Sequence, residues 1–437
     1  MLSAEDNQLL CRVEGDAPMG RLMREYWLPV CLSEEVAEAD GAPLRLRILG
    51  EDLVCFRDSA RRLGVLDNHC PHRKALLCLG RNEDGGLRCL YHGWKLDVDG
   101  HVLERPAEPA PATRTTRIKH RAYPVREAGG FVWAYLGPRP EPPIFEAPPF
   151  ASTASTHVAI AKTVVACNWA QIVEGQIDSA HSSSLHASDM IAADVDRAGA
   201  EATHWTRPST DKSPRLRVQL TSYGLRYAAI RRPIADDATH DYVRITAFVA
   251  PLTCLIPPNA SYAVSQVTVP IDDHTSWFYF IASGDGPDVP STVAWRTFLH
   301  LQPGLDVDAG WHRKRCAENN YLQDRQAMKQ GSFTGIDGIP AQDIAMWEGM
   351  GAIADRTSER LGASDVAIVR WRRRMIDAAR THAAGGSPLG LAEPRVSQSQ
   401  ITAFEGIVPK VLDWRTLGTS EQERAAYPPA PVSPPPA

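Results

Sequence analysis

Two short cysteine–histidine clips constrain this chain more than any other feature: Cys70-Pro71-His72 and, sixteen residues on, Cys89-Leu90-Tyr91-His92. Each offers one thiolate and one imidazole. A donor set of two cysteines and two histidines suits tetrahedral zinc, or a two-iron, two-sulfur centre in which two imidazoles replace two thiolates on one iron. Zinc fingers draw both thiolates from one clip and both imidazoles from another. Here the donors are mixed within each clip, so each loop can give a thiolate to one iron and an imidazole to the other. The spacing therefore favours iron–sulfur over zinc. A strand over 63–66 enters the first clip and a hairpin at 85–88 leads into the second. Pro71 stiffens one loop, and Gly93 lets the other turn tightly.

The runs Cys70-Pro71-His72-Arg73, Gly80-Arg81-Asn82 and Cys89-Leu90-Tyr91-His92-Gly93-Trp94 resemble the Rieske domain of ring-hydroxylating oxygenases. Within that family the chain looks most like the oxygenase (alpha) subunit of the phthalate 4,5-dioxygenase type, over about residues 8 to 415. The resemblance implies Cys70, His72, Cys89 and His92 as ligands of a [2Fe–2S] cluster. One residue departs from the pattern: Lys74 stands where that type usually has glycine. A lysine does not adopt positive φ cheaply, and its charge beside the cluster would favour the reduced state.

With 437 residues the chain is long enough for two domains with their own cores. A net charge of −5 gives no reason to expect nucleic acid or an anionic membrane as partner. The start is acidic with no apolar h-region, and no apolar run approaches the roughly 18–20 residues of a spanning helix. Nine cysteines, an odd count without a secretory signal, point to a reducing compartment. The expected location is cytoplasmic, with no membrane partner.

The fold class expected is α+β: a small antiparallel β Rieske domain plus a larger catalytic domain with an antiparallel sheet flanked by helices. The segmentation reads as an N-terminal helical segment (1–42) packing on the catalytic domain, the Rieske domain (43–140), a proline-rich linker (141–156), the catalytic domain (157–420) and a disordered proline-rich tail (421–437). A short helix over 17–29 stops at Pro29. Strand patterns run over 215–221, 225–231, 242–250, 261–269 and 276–281. Helical patterns cover 168–186, 308–330, 342–360 and 364–383, the last with Ser364 as N-cap.

A cluster of this kind only moves electrons, so a destination is required. On a helix over 168–186, Glu174, Asp178 and His181 stand at i, i+4 and i+7 on one face, with His186 reachable beyond. Two imidazoles and a distant carboxylate make the facial triad of non-haem Fe(II) oxygenases. The Glu-x3-Asp-x2-His-x4-His run resembles the mononuclear-iron motif of the same family. The segment Pro340-Ala341-Gln342-Asp343 resembles the one that supplies the third ligand, so Asp343 is preferred to Asp337. An acid three residues before an iron-binding histidine can fix its tautomer, which is one role for Asp178. The resemblance adds another: Asp178 links the mononuclear site to His72 or His92 of a neighbouring copy. That implies self-association as a homotrimer or hexamer.

The resemblance further implies O2 as co-substrate, NAD(P)H and flavin confined to a separate reductase, and an aromatic acid substrate such as phthalate undergoing cis-dihydroxylation. No Gly-x-Gly-x-x-Gly follows a strand here. A carboxylate in an apolar pocket needs an arginine; Arg207 and Arg244 are the candidates, with Trp205, Phe248, Phe333 and Trp347 as possible lining. The 370–374 run, four of whose five residues are arginine, reads as a solvated helix face. Two alternatives stay open: a Rieske monooxygenase carrying out O-demethylation or aryl-ether cleavage, and a non-enzymic Rieske electron carrier.

Overall fold

The computed structural model describes residues 1–109, 118–194, 205–257 and 262–427. Of the expected disordered tail, 421–437, residues 428–437 lie outside them, while Glu421–Ala426 is a helix capped by Ser420 with Glu423 buried. The chain forms two compact units: a smaller one of Val13–Phe145 with Val269–Asp273, and a larger one of Met1–Arg12, Glu146–Thr268 and His274–Ala437. The expected first segment, 1–42, is thus divided between them after Arg12.

The smaller unit is built from short antiparallel sheets. One orders Leu44–Ile48, Glu51–Arg57, Leu63–Asp67 and Ala122–Tyr123; another orders Arg81–Glu83, Gly86–Arg88, Lys95–Leu96 and Val102–Glu104. The hairpin into the second clip turns on Asp84-Gly85, both at positive φ (47° and 75°), the pair a two-residue type I′ turn demands. Val54, Phe56, Leu66, Leu77, Leu87 and Leu96 pack with Cys70, Cys89 and Trp94 into one core, so the clips hang directly from buried apolar strands. The helix expected over 17–29 covers only Pro18–Arg24. Pro29 lies instead in the strand Trp27–Leu32, at the edge of a three-stranded sheet and beside a register shift, where a missing N–H leaves no ladder bond broken.

The larger unit is organised on an eight-stranded antiparallel sheet ordered His157–Val165, Ser276–Gly284, Ala263–Pro270, Thr253–Ile256, His240–Val249, Gly224–Arg231 and Arg215–Leu220; Phe404–Pro409 pairs with His240–Val249 as well. Its core gathers Phe278, Phe280, Trp205, Trp295, Ile344 and Trp347.

Several helical expectations are corrected. Over 308–330 only Arg325–Lys329 is α-helical, because Asn320, Tyr321 and Leu322 all take left-handed φ (52°, 57°, 51°). The third pattern becomes Ile339–Gly349 and the fourth Val366–Ala383, with Asp365 rather than Ser364 at the N-cap position and no side-chain cap. The helix over 168–186 stops at Gln176. Beyond it the Asp178 carboxylate accepts the Ala180 N–H (2.8 Å) and the Ser182 hydroxyl donates to the Ser179 carbonyl (3.0 Å), local bonds that replace the helical ladder. Glu174 therefore shares no helical face with His181. It is buried between Arg356 (Nε to Oε1, 2.7 Å) and Arg372 (Nε to Oε1, 2.7 Å). Arg372 is accordingly no part of a solvated face, although Arg370 and Arg373 are exposed.

Candidate functional site

The two clips fold into loops of one design. The Cys70 N–H donates to the Ala75 carbonyl (2.9 Å), and the Lys74 N–H returns to the Cys70 carbonyl (2.9 Å). In the second loop Cys89 N–H donates to Trp94 (2.8 Å) and Gly93 N–H to Cys89 (3.0 Å), at the same offsets. Both returning residues need the left-handed region: Gly93 has φ +73° and Lys74 φ +62°. The lysine is held there by the loop, not by its own preference.

The loops bring like donors together. The His72 and His92 rings are 4.4 Å apart, and His72 stacks on Trp94 at 4.8 Å, interplanar 4°. Burial pushes the Cys70 thiol up to about 11, while the His72 and Arg73 backbone N–H groups favour its thiolate and the Cys89 side chain lies against it. His92 Nδ1 is buried with no hydrogen-bond partner. Paired sulfurs, paired imidazoles and an orphaned ring nitrogen fit a two-iron cluster.

In the larger unit His181 Nε2 lies 3.1 Å from His186 Nε2 and 3.4 Å from Asp343 Oδ1, and His186 Nε2 lies 3.1 Å from the same oxygen. Three cis ligands at ~2.1 Å from an octahedral metal would sit about 3 Å apart, so this donor set fits one ion on a facial triad. Asp337 is elsewhere, exposed and 3.6 Å from Arg315. His181 Nδ1 faces Asp178 Oδ2 at 3.4 Å. Burial would raise the Asp178 carboxyl, but the His181 ring and the Ala180 and His181 amides outweigh it and hold it below the usual range.

A cleft of about 80 Å³ opens beside the triad, lined by Trp205, Tyr227, Arg244, Phe280 and Trp347 among others. Of the expected lining residues, Phe248 is instead core, packed edge-on to Trp371. Phe333 is exposed and lines a second cavity that shares Asp178, His181 and Asp343 with the first. Gly175 and Trp347 line both. Arg207 is buried, with Nη1 3.4 Å from the Ser182 hydroxyl.

Three residues were missed at the sequence level. Arg231 donates to the Ser179 carbonyl (2.8 Å), and burial together with Arg207 and Arg244 lowers it to about 10. Glu405 sits opposite Arg244 in strand register and accepts the Tyr242 hydroxyl; burial raises its carboxyl. Gln342 touches His186. Arg231 carried the signal used for Arg244, a charge in an apolar strand; Glu405 and Gln342 had none.

A β domain with a two-iron donor set, joined in one chain to a facial triad beside a cleft, defines a class. The chain belongs to the Rieske non-haem iron aromatic ring-hydroxylating oxygenases, as an oxygenase (alpha) subunit. Residues 26–124 match the Rieske [2Fe-2S] domain family and 134–432 the LigXa C-terminal domain like family. The chain is 56% identical to the phthalate 4,5-dioxygenase oxygenase subunit of Pseudomonas putida over 95% of its own length and 94% of that protein. It is 36% identical to the 3-chlorobenzoate-3,4-dioxygenase oxygenase subunit of Comamonas testosteroni, over 95% and 98%. The solved structure of a Pseudomonas putida CBB5 NdmA variant with caffeine shares the fold, with TM-score 0.56 at 16% identity over 84% of this chain and 93% of that one. The cofactors of the present chain are a Rieske [2Fe–2S] cluster and a mononuclear iron. Subunits of this family take a separate reductase or ferredoxin partner and bind aromatic substrates. No helix among the described residues is long and apolar enough to cross a membrane.

Proposed function

We propose that this chain hydroxylates an aromatic dicarboxylate such as phthalate by cis-dihydroxylation, with Cys70, His72, Cys89 and His92 holding the cluster and His181, His186 and Asp343 the mononuclear iron. When bound, the metals supply single-electron storage and O2 activation; the chain supplies everything that decides where the oxygen goes. Arg207 and Arg244 take the carboxylates, and Arg231 fixes the turn that carries His181. The observation that carries this reading is the charge of the site: three buried guanidiniums, Arg207, Arg231 and Arg244, gather around the buried Glu405, with the more exposed Asp211 also facing Arg207 and Arg231. Burying such an excess of charge is costly unless an anion completes it, and a dianion completes it better than a monoanion. Trp205, Phe280 and Trp347 supply apolar walls for the ring.

Asp178 orients His181 and, in an assembled homotrimer or hexamer, bridges it to His72 or His92 of a neighbouring copy. Support comes from the second cavity, which opens on Asp178 and is rimmed by the exposed apolar residues Phe333, Met346 and Met350. Electrons reach the cluster from an NAD(P)H-dependent flavin reductase, and the expected location is cytoplasmic.

The test is turnover with a surrogate reductase against phthalate, its positional isomers, benzoate and a methoxylated aromatic acid, following O2 uptake and product mass. A product of phthalate carrying both oxygen atoms supports the proposal. Preference for benzoate, or demethylation with no dihydroxylated product, overturns it. Three irons per chain separates the oxygenase from a two-iron electron carrier.

A further inference from the structure

Gln342 immediately precedes Asp343 in the helix Ile339–Gly349, is 1% exposed, and is bonded through all of its polar atoms. Its Nε2 donates to Asp189 Oδ2 at 2.7 Å and to the Ile336 carbonyl at 2.8 Å; its Oε1 lies 2.8 Å from His186 Nδ1. The chemistry of these partners leaves one arrangement. A carboxylate and a carbonyl only accept, so the amide nitrogen must face them. The amide oxygen then faces the imidazole, and an amide oxygen only accepts. His186 Nδ1 must therefore carry the hydrogen, which leaves the lone pair on Nε2, the atom aimed at His181 and Asp343.

Asp189 belongs to the same turn as His186: its N–H bonds to the His186 carbonyl at 3.0 Å. The loop that presents the imidazole thus also presents the anchor that orients the amide holding it. We infer that Gln342 is the positioning residue for His186, and that Asp189 sets the amide of Gln342 so that His186 can offer only Nε2 to a metal. The two histidines are then treated differently. His181 has the Asp178 carboxylate behind Nδ1, whereas His186 has a neutral amide. A carboxylate strengthens an imidazole's donor character more than an amide does, so His186 is the weaker and more replaceable donor. Because the amide and Asp343 are consecutive residues of one helix, a shift of that helix moves a carboxylate ligand and an imidazole's support together.

The inference rests on the proposed ligand set, and its test separates the two. Anaerobic full-length protein is titrated with Fe(II) against a competing chelator, with the cluster's visible absorption as an internal check on folding. Gln342→Met keeps the length and removes every polar contact; its Fe(II) affinity should fall about 10- to 100-fold with the cluster spectrum unchanged. In Co(II)-loaded protein, one exchangeable imidazole N–H resonance should disappear or shift while the other stays. Asp189→Asn still presents an acceptor to the amide and should bind within about threefold of the parent, whereas Asp189→Ala should weaken binding about tenfold or more. Parent-like affinity in Gln342→Met overturns the inference, as does equal loss in both Asp189 variants. Should Gln342→Met lose its cluster, the Asp189 pair decides alone, and parent-like affinity in both overturns it. His181→Ala, run alongside, judges the ligand set itself: unchanged Fe(II) binding there removes the ligand reading, and this inference with it.

Discussion

Adding one methyl group at Gly175 sets two forces of opposite sign against each other. Gly175 lies inside the helix Trp169–Gln176, where alanine is normally better than glycine by about 0.8–1.0 kcal/mol. On helix propensity alone, Gly175→Ala should raise the melting temperature by roughly 2–4 °C. Space argues the other way. A Cβ at this position would stand 2.1 Å from Nε1 and 2.7 Å from Cε2 of Trp347. Ordinary contact begins at 3.4 Å, so the indole must retreat by about 1.3 Å. It has little room, being buried, set edge-on to Phe278 at 5.5 Å, with its backbone carbonyl bonded to the Gln171 side chain at 2.7 Å. Overpacking of this kind costs about 1–3 kcal/mol, which outweighs the propensity gain in most of its range. The displacement matters more than the energy. Trp347 is one helical turn beyond Asp343, so a retreat of the helix pulls a proposed iron ligand out of a triad whose donor atoms stand 3.1–3.4 Å apart. A misplacement near 1 Å costs on the order of 100-fold in rate. Gly175→Ala should therefore lose about two decades of kcat/KM and part of its mononuclear iron, with an intact cluster spectrum and no gain in melting temperature. A variant that is more stable than the parent and keeps iron and turnover within twofold would refute the reasoning.

Other perturbations test other parts. Arg372→Ala strips the buried Glu174 of one of its two guanidinium clamps and should cost about 3–5 kcal/mol, seen by calorimetry; a midpoint within 1–2 °C of the parent would count against the clamp. The Glu174 carboxyl is held below its usual value by Arg356 and Arg372 against the opposing effect of burial. The stability it contributes is present above the ordinary carboxylate range and is lost as pH falls through its depressed value. Glu174→Gln should thus be the less stable protein at pH 7 yet lose less on acidification. Arg244→Ala should raise the KM for a dicarboxylate roughly 10- to 150-fold, the loss of a charged hydrogen-bonded pair worth about 1.5–3 kcal/mol, and an unchanged KM would remove it from the substrate site. Lys74→Gly should shift the cluster midpoint to a more negative potential. Its melting temperature should change little, because about 1 kcal/mol of relieved backbone strain is offset by the greater freedom of glycine in the unfolded chain.

The clip loops were legible because donor residues written next to one another need no tertiary information. Even the anomaly at Lys74 could be read, since the resembled family usually has glycine there; the structure adds that Gly93 holds the matching offset in the second loop. Five of the eight strands of the larger sheet were legible for a similar reason, their apolar runs being local, whereas His157–Val165, Thr253–Ile256 and Phe404–Pro409 were not read. Glu174 was not. Its assignment to the site face assumed the helix continued to His181, and the Asp178 and Ser182 side chains end it by bonding to their own backbone. Arg372 was misread because a charge run says nothing about the buried acid that one of its members meets. Gln342 was invisible for a deeper reason. An amide has neither charge nor metal affinity, and its role is set by Asp189 and Ile336, which fold back to it through space.

The smaller unit is not a continuous piece of chain. Val269–Asp273, the last two residues of the strand Ala263–Pro270 and the start of the turn after it, belongs to it: Asp273 accepts the Val13 N–H at 2.7 Å, and the Pro270 and Ile271 carbonyls accept from Leu49 (2.9 Å) and Gly50 (2.8 Å). Anyone grafting the electron-carrying module of one such oxygenase onto another would, by cutting at its outer borders, leave this five-residue peg behind. A chimera that respects the wiring must transplant the peg with the module or accept a donor whose own peg presents the same carboxylate and carbonyls.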